Sequence, residues 1–203
     1  MLSLAGCDLF AGPNPQAASP EELRRSASAN AGAFVAADEV CVGGGDISAS
    51  LARATARGWK EFEPVQGSMM SRLRDIHLED DLSRPRVVLL RKDENRAQIL
   101  LTQITTLSGS RYMHQCQVIE QVAEGLDERA LRAWAAVPIE TNQVEDSPVY
   151  YHLKGGRFAG TVSATAYFAP RGRAGTDPAE GLIVVVLKSN LPAGGEEQNV
   201  HSG

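Results

Sequence analysis

The chain has 203 residues, of which 43% are hydrophobic and 22% are charged, and its formal net charge at pH 7 is −5. This composition is typical of a globular protein with one domain, or at most two small ones. It excludes a strongly basic nucleic-acid-binding protein, so we expect no nucleic-acid partner. No run of about 18 apolar residues, the length that a complete transmembrane helix needs, occurs in the sequence.

The N-terminal segment carries a short motif that ends in a cysteine. Leu4-Ala5-Gly6-Cys7 resembles the lipobox of bacterial lipoproteins, in which the cysteine is lipidated and becomes the mature N-terminus. Small residues before the cysteine suit the cleavage site of a signal peptide. The resemblance implies that Cys7 carries a lipid, and that the signal peptide extends upstream of the first residue because no basic residue precedes Cys7. The alternative is a chance match in which Cys7 is an ordinary thiol.

The segment after Cys7 has the composition of a spacer. Residues 8–18 include Gly12 and Pro13 and show no apolar periodicity, which is typical of a flexible linker. Asp8, directly after the cysteine, resembles the inner-membrane retention signal of enteric lipoproteins. We therefore expect residues 1–18 to be a residual signal peptide, lipid anchor and linker, at the periplasmic face of the inner rather than the outer membrane.

Helices are predicted first along the rest of the chain. Ser19 at an N-cap position predicts a helix over residues 20–37. Asp46 predicts the start of a second helix, which Gly58 ends. Residues 69–76 predict a short third helix.

Alternating polar and apolar residues then predict β-strands. The predicted strands are 86–90, 97–102 and 111–118, followed after a helix by 148–153, 157–168 and 182–188. The intervening helix is predicted from Asp127 to Pro138, and residues 154–157, with two glycines, predict a tight hairpin. In the third strand, Cys116 and Val118 share a face with Tyr112.

These elements predict one α+β domain over residues 19–190 and a disordered tail over 191–203. We expect an antiparallel sheet of about six strands with helices packed on one face. A helix followed by three strands occurs twice in this order, which is compatible with an old duplication and equally with an unrepeated α+β domain.

Residues with catalytic or metal-binding chemistry are scattered along the sequence. The four histidines and three cysteines form no metal-ligand spacing, and the acidic clusters fall in predicted turns. No nucleophile motif is present. We therefore predict no metal and no cofactor, and we assign no catalytic residue. Four tyrosines lie on predicted strands and are candidates for an exposed binding face, unless their rings are used in the core: Tyr112, Tyr150, Tyr151 and Tyr167. Of these, Tyr112, Tyr151 and Tyr167 are the residues that we assign to the face.

With Cys7 lipidated, Cys41 and Cys116 remain, an even number in an oxidising compartment. We predict a disulfide between them, the alternative being two independent buried thiols. The sequence thus favours a membrane-tethered cell-envelope domain that acts as a binding or scaffolding module, with another envelope protein as a candidate partner. Two alternatives stay open: an envelope enzyme of hydrolase type with dispersed catalytic residues, and a cytosolic protein with reduced cysteines.

Overall fold

A computed structural model describes residues 31–79, 85–105, 111–122, 125–143, 148–169 and 181–192. The predicted tether, including Cys7, and most of the predicted C-terminal tail lie outside these ranges. The described helices are α1 (Ala31–Ala36), which continues as a π-helix (Ala37–Cys41), α2 (Ile47–Ala56), α3 (Met69–Leu78) and α4 (Glu128–Ala135). The described strands are β1 (Lys60–Glu61), β2 (Arg86–Lys92), β3 (Asn95–Thr105), β4 (Arg111–Val122), β5 (Ile139–Asn142), β6 (Tyr150–Leu153), β7 (Ser163–Ala169) and β8 (Gly181–Pro192).

These strands form one antiparallel sheet in the order β1-β2-β3-β4-β8-β7-β6-β5. The predicted α+β class and antiparallel sheet are therefore confirmed, whereas the expected number of about six strands is too low. Each half of the chain forms a four-stranded meander, and the two meanders meet where β4 pairs with β8 along their whole lengths. The two additional strands are β1, which has only two residues, and β5, which directly follows Pro138.

Side-chain hydrogen bonds mark where three helices begin. Asp46, Ser68 and Asp127 each accept the backbone N–H of the residue three positions on, at 2.8, 3.2 and 3.0 Å. Such bonds satisfy donors that the first turn of a helix leaves free. The starts predicted at Asp46 and Asp127 are confirmed. Of the predicted helix 20–37, only the end is described, and the helical chain continues past it as the π-helix Ala37–Cys41.

The connection before β7 differs from the predicted one. The residues from 157 were expected to begin a long strand after a tight hairpin, but Gly156–Phe158 form a 3₁₀ turn and β7 begins at Ser163. Gly155 and Gly156 have φ values of +77° and +51°, a region that glycine enters without a steric penalty. They turn the chain so that Phe158, which is 2% exposed, packs into the core instead of extending along the sheet.

The helices lie on both faces of the sheet, not on one as expected. Helices α1, α2 and α4 cover one face, which we call the three-helix face; its core includes Phe34, Ile47 and Trp134. Helix α3 packs on the opposite face, the α3 face, where Met70 contacts an apolar cluster from the strands. An apolar stripe on a helix predicts that it packs, but it does not determine which face of the sheet receives it. No described helix is long and apolar enough to cross a membrane.

Candidate functional site: an apolar cavity under helix α3

Helix α3 covers only part of the α3 face. Met70 is 3% exposed and packs on the sheet, whereas Ile76 and Leu78, further along the same helix, are 64% and 46% exposed. Beside the helix, a cavity of about 380 Å³ lies over β4, β8, β7 and β6. We call it the α3 cavity; its described lining residues are Met69, Arg72, Leu73, Ile76, Gln117, Ile119, Pro148, Tyr150, Tyr167, Ala169, Leu182 and Val184.

The register of the sheet builds the floor of this cavity. Val184 lies opposite Ile119 on one neighbouring strand and opposite Tyr167 on the other. Tyr150 lies opposite Tyr167 in turn, and the two ring centroids are 5.0 Å apart. Directly opposite residues on neighbouring strands lie on the same face of a sheet, so these four side chains point to the same side. The floor is aliphatic in the middle, and a pair of tyrosines bounds it on the side away from α3.

Polar groups at the cavity are few. Gln117 Nε2 donates to His77 Nε2 across 3.3 Å. Burial lowers the pKa of His77, and the positive charge of Lys188 lowers it further, so the ring is neutral near pH 7. Burial and the neighbouring Tyr150 raise the pKa of Tyr167, so its hydroxyl keeps its proton and remains a hydrogen-bond donor.

The predicted tyrosine face is not assembled as proposed. Tyr167 lines the α3 cavity, but Tyr151 packs against the core of the three-helix face, where burial and Glu128 raise its pKa. Tyr112 lies on β4 in phase with Cys116, which belongs to that same core. The residue that accompanies Tyr167 is Tyr150. The contact between Tyr150 and Tyr167 depends on the register between β6 and β7. The sequence of either strand alone does not indicate that register.

Cys41 and Cys116 form a disulfide with a Cα–Cα distance of 5.6 Å, as the sequence analysis predicted. The bond links the end of the π-helix to the centre of β4. Both residues are buried, with exposures of 4% and 1%. The disulfide therefore lies inside the three-helix face and not at the α3 cavity.

Two consecutive acidic residues of the π-helix make buried polar contacts. Asp38 accepts from Trp134 Nε1 at 2.8 Å and from the guanidinium of Arg157. Glu39 accepts from Trp59 Nε1 at 2.8 Å and pairs with Lys92 Nζ at 3.2 Å. Each carboxylate thus has an indole donor and a cationic partner, as buried charges require. These contacts fix the π-helix to α4, to the turn before β7 and to the β1–β2 edge of the sheet, and they do not form an open site.

A serine and a histidine also come within hydrogen-bond distance. Ser50 Oγ lies 3.0 Å from His114 Nε2, and His114 Nδ1 lies 3.3 Å from the carbonyl oxygen of Thr102. Burial lowers the pKa of His114, which is consistent with a neutral ring that donates to Thr102 and accepts from Ser50. The distances resemble a nucleophile and its base. Ser50 and His114 are only 1% and 3% exposed, so a substrate does not reach the hydroxyl, and the pair connects α2 to the sheet.

Within the described ranges, no group of three His, Cys, Asp or Glu side chains comes together as metal ligands do. In comparisons with known proteins, no family model, no curated protein and no solved structure matched this chain. The α3 cavity has the size and the lining of a ligand site, because such sites are concave, mostly apolar and carry a few polar groups.

Proposed function

We propose that this chain is a lipid-tethered protein of the cell envelope whose domain binds an apolar or amphipathic small molecule in the α3 cavity. The cavity is the observation that carries the proposal. Its volume of about 380 Å³ falls within the range of roughly 300–1,000 Å³ that is usual for ligand pockets.

The aliphatic floor supports an apolar ligand in particular. Ile119, Leu182 and Val184 are 2–4% exposed and present only hydrocarbon to the cavity. A polar ligand would lose its hydration there without gaining hydrogen bonds from these residues. An apolar chain has no polar groups to lose hydration, and its binding becomes more favourable roughly in proportion to the apolar area that it buries.

The tether is supported by the sequence alone. Leu4-Ala5-Gly6-Cys7 resembles a lipobox, and the residues after it have the composition of a linker. The Cys41–Cys116 disulfide fits an oxidising compartment such as the periplasm, since disulfides are rare in reducing cytosol. On this proposal the binding domain is held close to a bilayer, where apolar molecules are abundant.

The cavity can be tested with a neutral apolar dye, N-phenyl-1-naphthylamine, whose fluorescence rises when it leaves water. We expect the wild-type protein to bind the dye and the Ile76→Glu variant to bind it several-fold more weakly, because a carboxylate at the cavity wall is costly to desolvate. Val162→Glu is the matched control. Ile76 and Val162 are both 64% exposed, but Val162 precedes β7 and does not line the α3 cavity.

Absence of dye binding by the folded wild-type protein would contradict the proposal. Equal weakening in Ile76→Glu and Val162→Glu would contradict it as well, because the dye would then bind elsewhere. Circular dichroism of both variants checks that each remains folded.

A further inference from the structure

The charge of the α3 cavity differs from that of the whole chain. The protein carries 25 acidic and 20 basic side chains, yet no acidic residue is among the described residues that line the cavity. The lining contains one side chain that is charged at neutral pH, Arg72 on α3. The cavity is therefore apolar with a single positive charge.

Two arginines on α3 have different surroundings. Arg74 donates to Glu63 at 2.8 Å and to Asp75 at 3.2 Å, so its charge is satisfied within the protein. Arg72 lies two residues earlier, lines the cavity and is exposed. In the part of the chain that the structure describes, its guanidinium has neither an ion-pair partner nor a hydrogen-bond acceptor. The five N–H donors of a guanidinium suit a carboxylate, which they bind in a bidentate manner.

The volume of the cavity limits the ligand to one chain. A cavity of about 150 Å³ holds a benzene molecule, so about 380 Å³ holds a single aliphatic chain of moderate length and not the paired chains of a bilayer lipid. The floor of Ile119, Leu182 and Val184 is aliphatic, as contact with such a chain requires.

We propose that the α3 cavity binds a single-chain fatty acid, with the acyl chain on the aliphatic floor and the carboxylate paired with Arg72. This inference rests on the proposed function, and it adds the class of ligand. Tyr150 and Tyr167, whose rings contact each other, flank the chain at the far side of the cavity. The binding site is thus apolar along its floor and cationic at α3.

The test compares two ligands that differ only in the head group, decanoate and decanol, by isothermal titration calorimetry. We expect the wild-type protein to bind decanoate more tightly than decanol. Arg72→Gln should weaken decanoate binding about three- to tenfold, the size of effect expected for a partly exposed charge-assisted pair, and should leave decanol binding within about twofold. Raising the salt concentration should weaken decanoate binding by the wild-type protein only, because salt screens exposed charges.

Arg57→Gln is the control, since Arg57 is an exposed cation at the end of α2 and does not line the cavity. Equal affinity for decanoate and decanol, unchanged by Arg72→Gln, would overturn the fatty-acid inference while leaving an apolar ligand site in place. An equal loss in Arg57→Gln would overturn it too, because the effect would then come from net charge. Binding of neither ligand by the folded protein would overturn the inference and the proposed function together.

Discussion

At the scale of single residues, Glu120 on β4 is a buried carboxyl whose surroundings predict how the stability of the protein changes with pH. It is 2% exposed, and it accepts the backbone N–H of Ala33 at 2.8 Å, one of the free donors at the start of α1. Burial raises the pKa of Glu120, and the bond from Ala33 and the charge of Arg96 only partly oppose this. The folded protein therefore holds a proton on this group at pH values where the unfolded chain has lost it.

The raised pKa of Glu120 determines the direction in which the free energy of unfolding changes with pH. The contribution of Glu120 is fully present below the pKa of the unfolded chain, and it is lost as the pH rises through the higher pKa of the folded state. Glu120→Gln removes this titration and keeps an oxygen that accepts from Ala33. We expect the free energy of unfolding of the wild type to fall relative to that of Glu120→Gln as the pH rises from about 4 towards neutrality.

Urea denaturation at several pH values measures this difference. Glu140→Gln is the control, because Lys154 lowers the pKa of that exposed carboxyl. The contribution of Glu140 to stability therefore changes with pH in the direction opposite to that of Glu120. A free energy of unfolding of the wild type that stays constant or rises relative to that of Glu120→Gln between about pH 4 and neutrality would contradict the burial of Glu120 as described.

At the scale of elements, the Cys41–Cys116 disulfide connects two parts of the chain that other contacts also hold together. It joins residues 75 apart in sequence, and on the chain-entropy model closing a loop of that length stabilises the fold by about 4 kcal/mol, while measured values span roughly 0–5 kcal/mol. The buried pairs of Asp38 and Glu39 also fix this π-helix, to Trp134 on α4 and to Lys92 on β2. The bond thus reinforces a segment that already has native contacts.

We expect the double variant Cys41→Ala/Cys116→Ala to fold and to lose about 2–4 kcal/mol of unfolding free energy. Urea denaturation of wild type and variant, each in a Cys7→Ser background, gives the value. A reducing agent should destabilise the protein that keeps the disulfide and have no effect on the double variant. Equal stability of the two proteins without reductant would contradict a native disulfide.

Patterns within single elements were readable from the sequence, and relations between elements were not. Alternation along β4 placed Cys116 in the core, and the cap residues Asp46 and Asp127 placed two helix starts, because both signals are local. The side of the sheet on which α3 packs is not local, since its apolar stripe fits either face. The cavity that α3 borders could therefore not be predicted.

At the scale of the whole molecule, the two meanders join through β4 and β8, which are separated in sequence by α4 and by the first three strands of the second meander. This pairing places Ile119 beside Val184 and creates the cavity floor. Local residue patterns predicted both strands, but no such pattern indicates which strands of a sheet become neighbours over such a distance in sequence. The candidate site is a product of that long-range pairing, which explains why only Tyr150 and Tyr167 of its lining were considered for a binding face from the sequence.

The proposed tether leads to a prediction about the full chain. Expressed behind a lipoprotein signal sequence, the protein should fractionate with membranes and be labelled by a palmitate analogue. Cys7→Ser should abolish both properties, because stable anchoring depends on the acyl chains and each buried CH₂ contributes about 0.8 kcal/mol. Membrane association that survives in Cys7→Ser, with no label in the wild type, would contradict a lipid anchor.

Photo-crosslinking can show whether an apolar chain lies in the α3 cavity of the folded protein. A decanol analogue with a diazirine at the end of the chain is irradiated with the protein, and the modified peptides are identified by mass spectrometry, with excess decanol as competitor. We predict competed adducts in α3 (Met69–Leu78) and in β6, β7 and β8. Adducts confined to α1, α2 or α4, on the three-helix face, would contradict binding of an apolar chain in the α3 cavity.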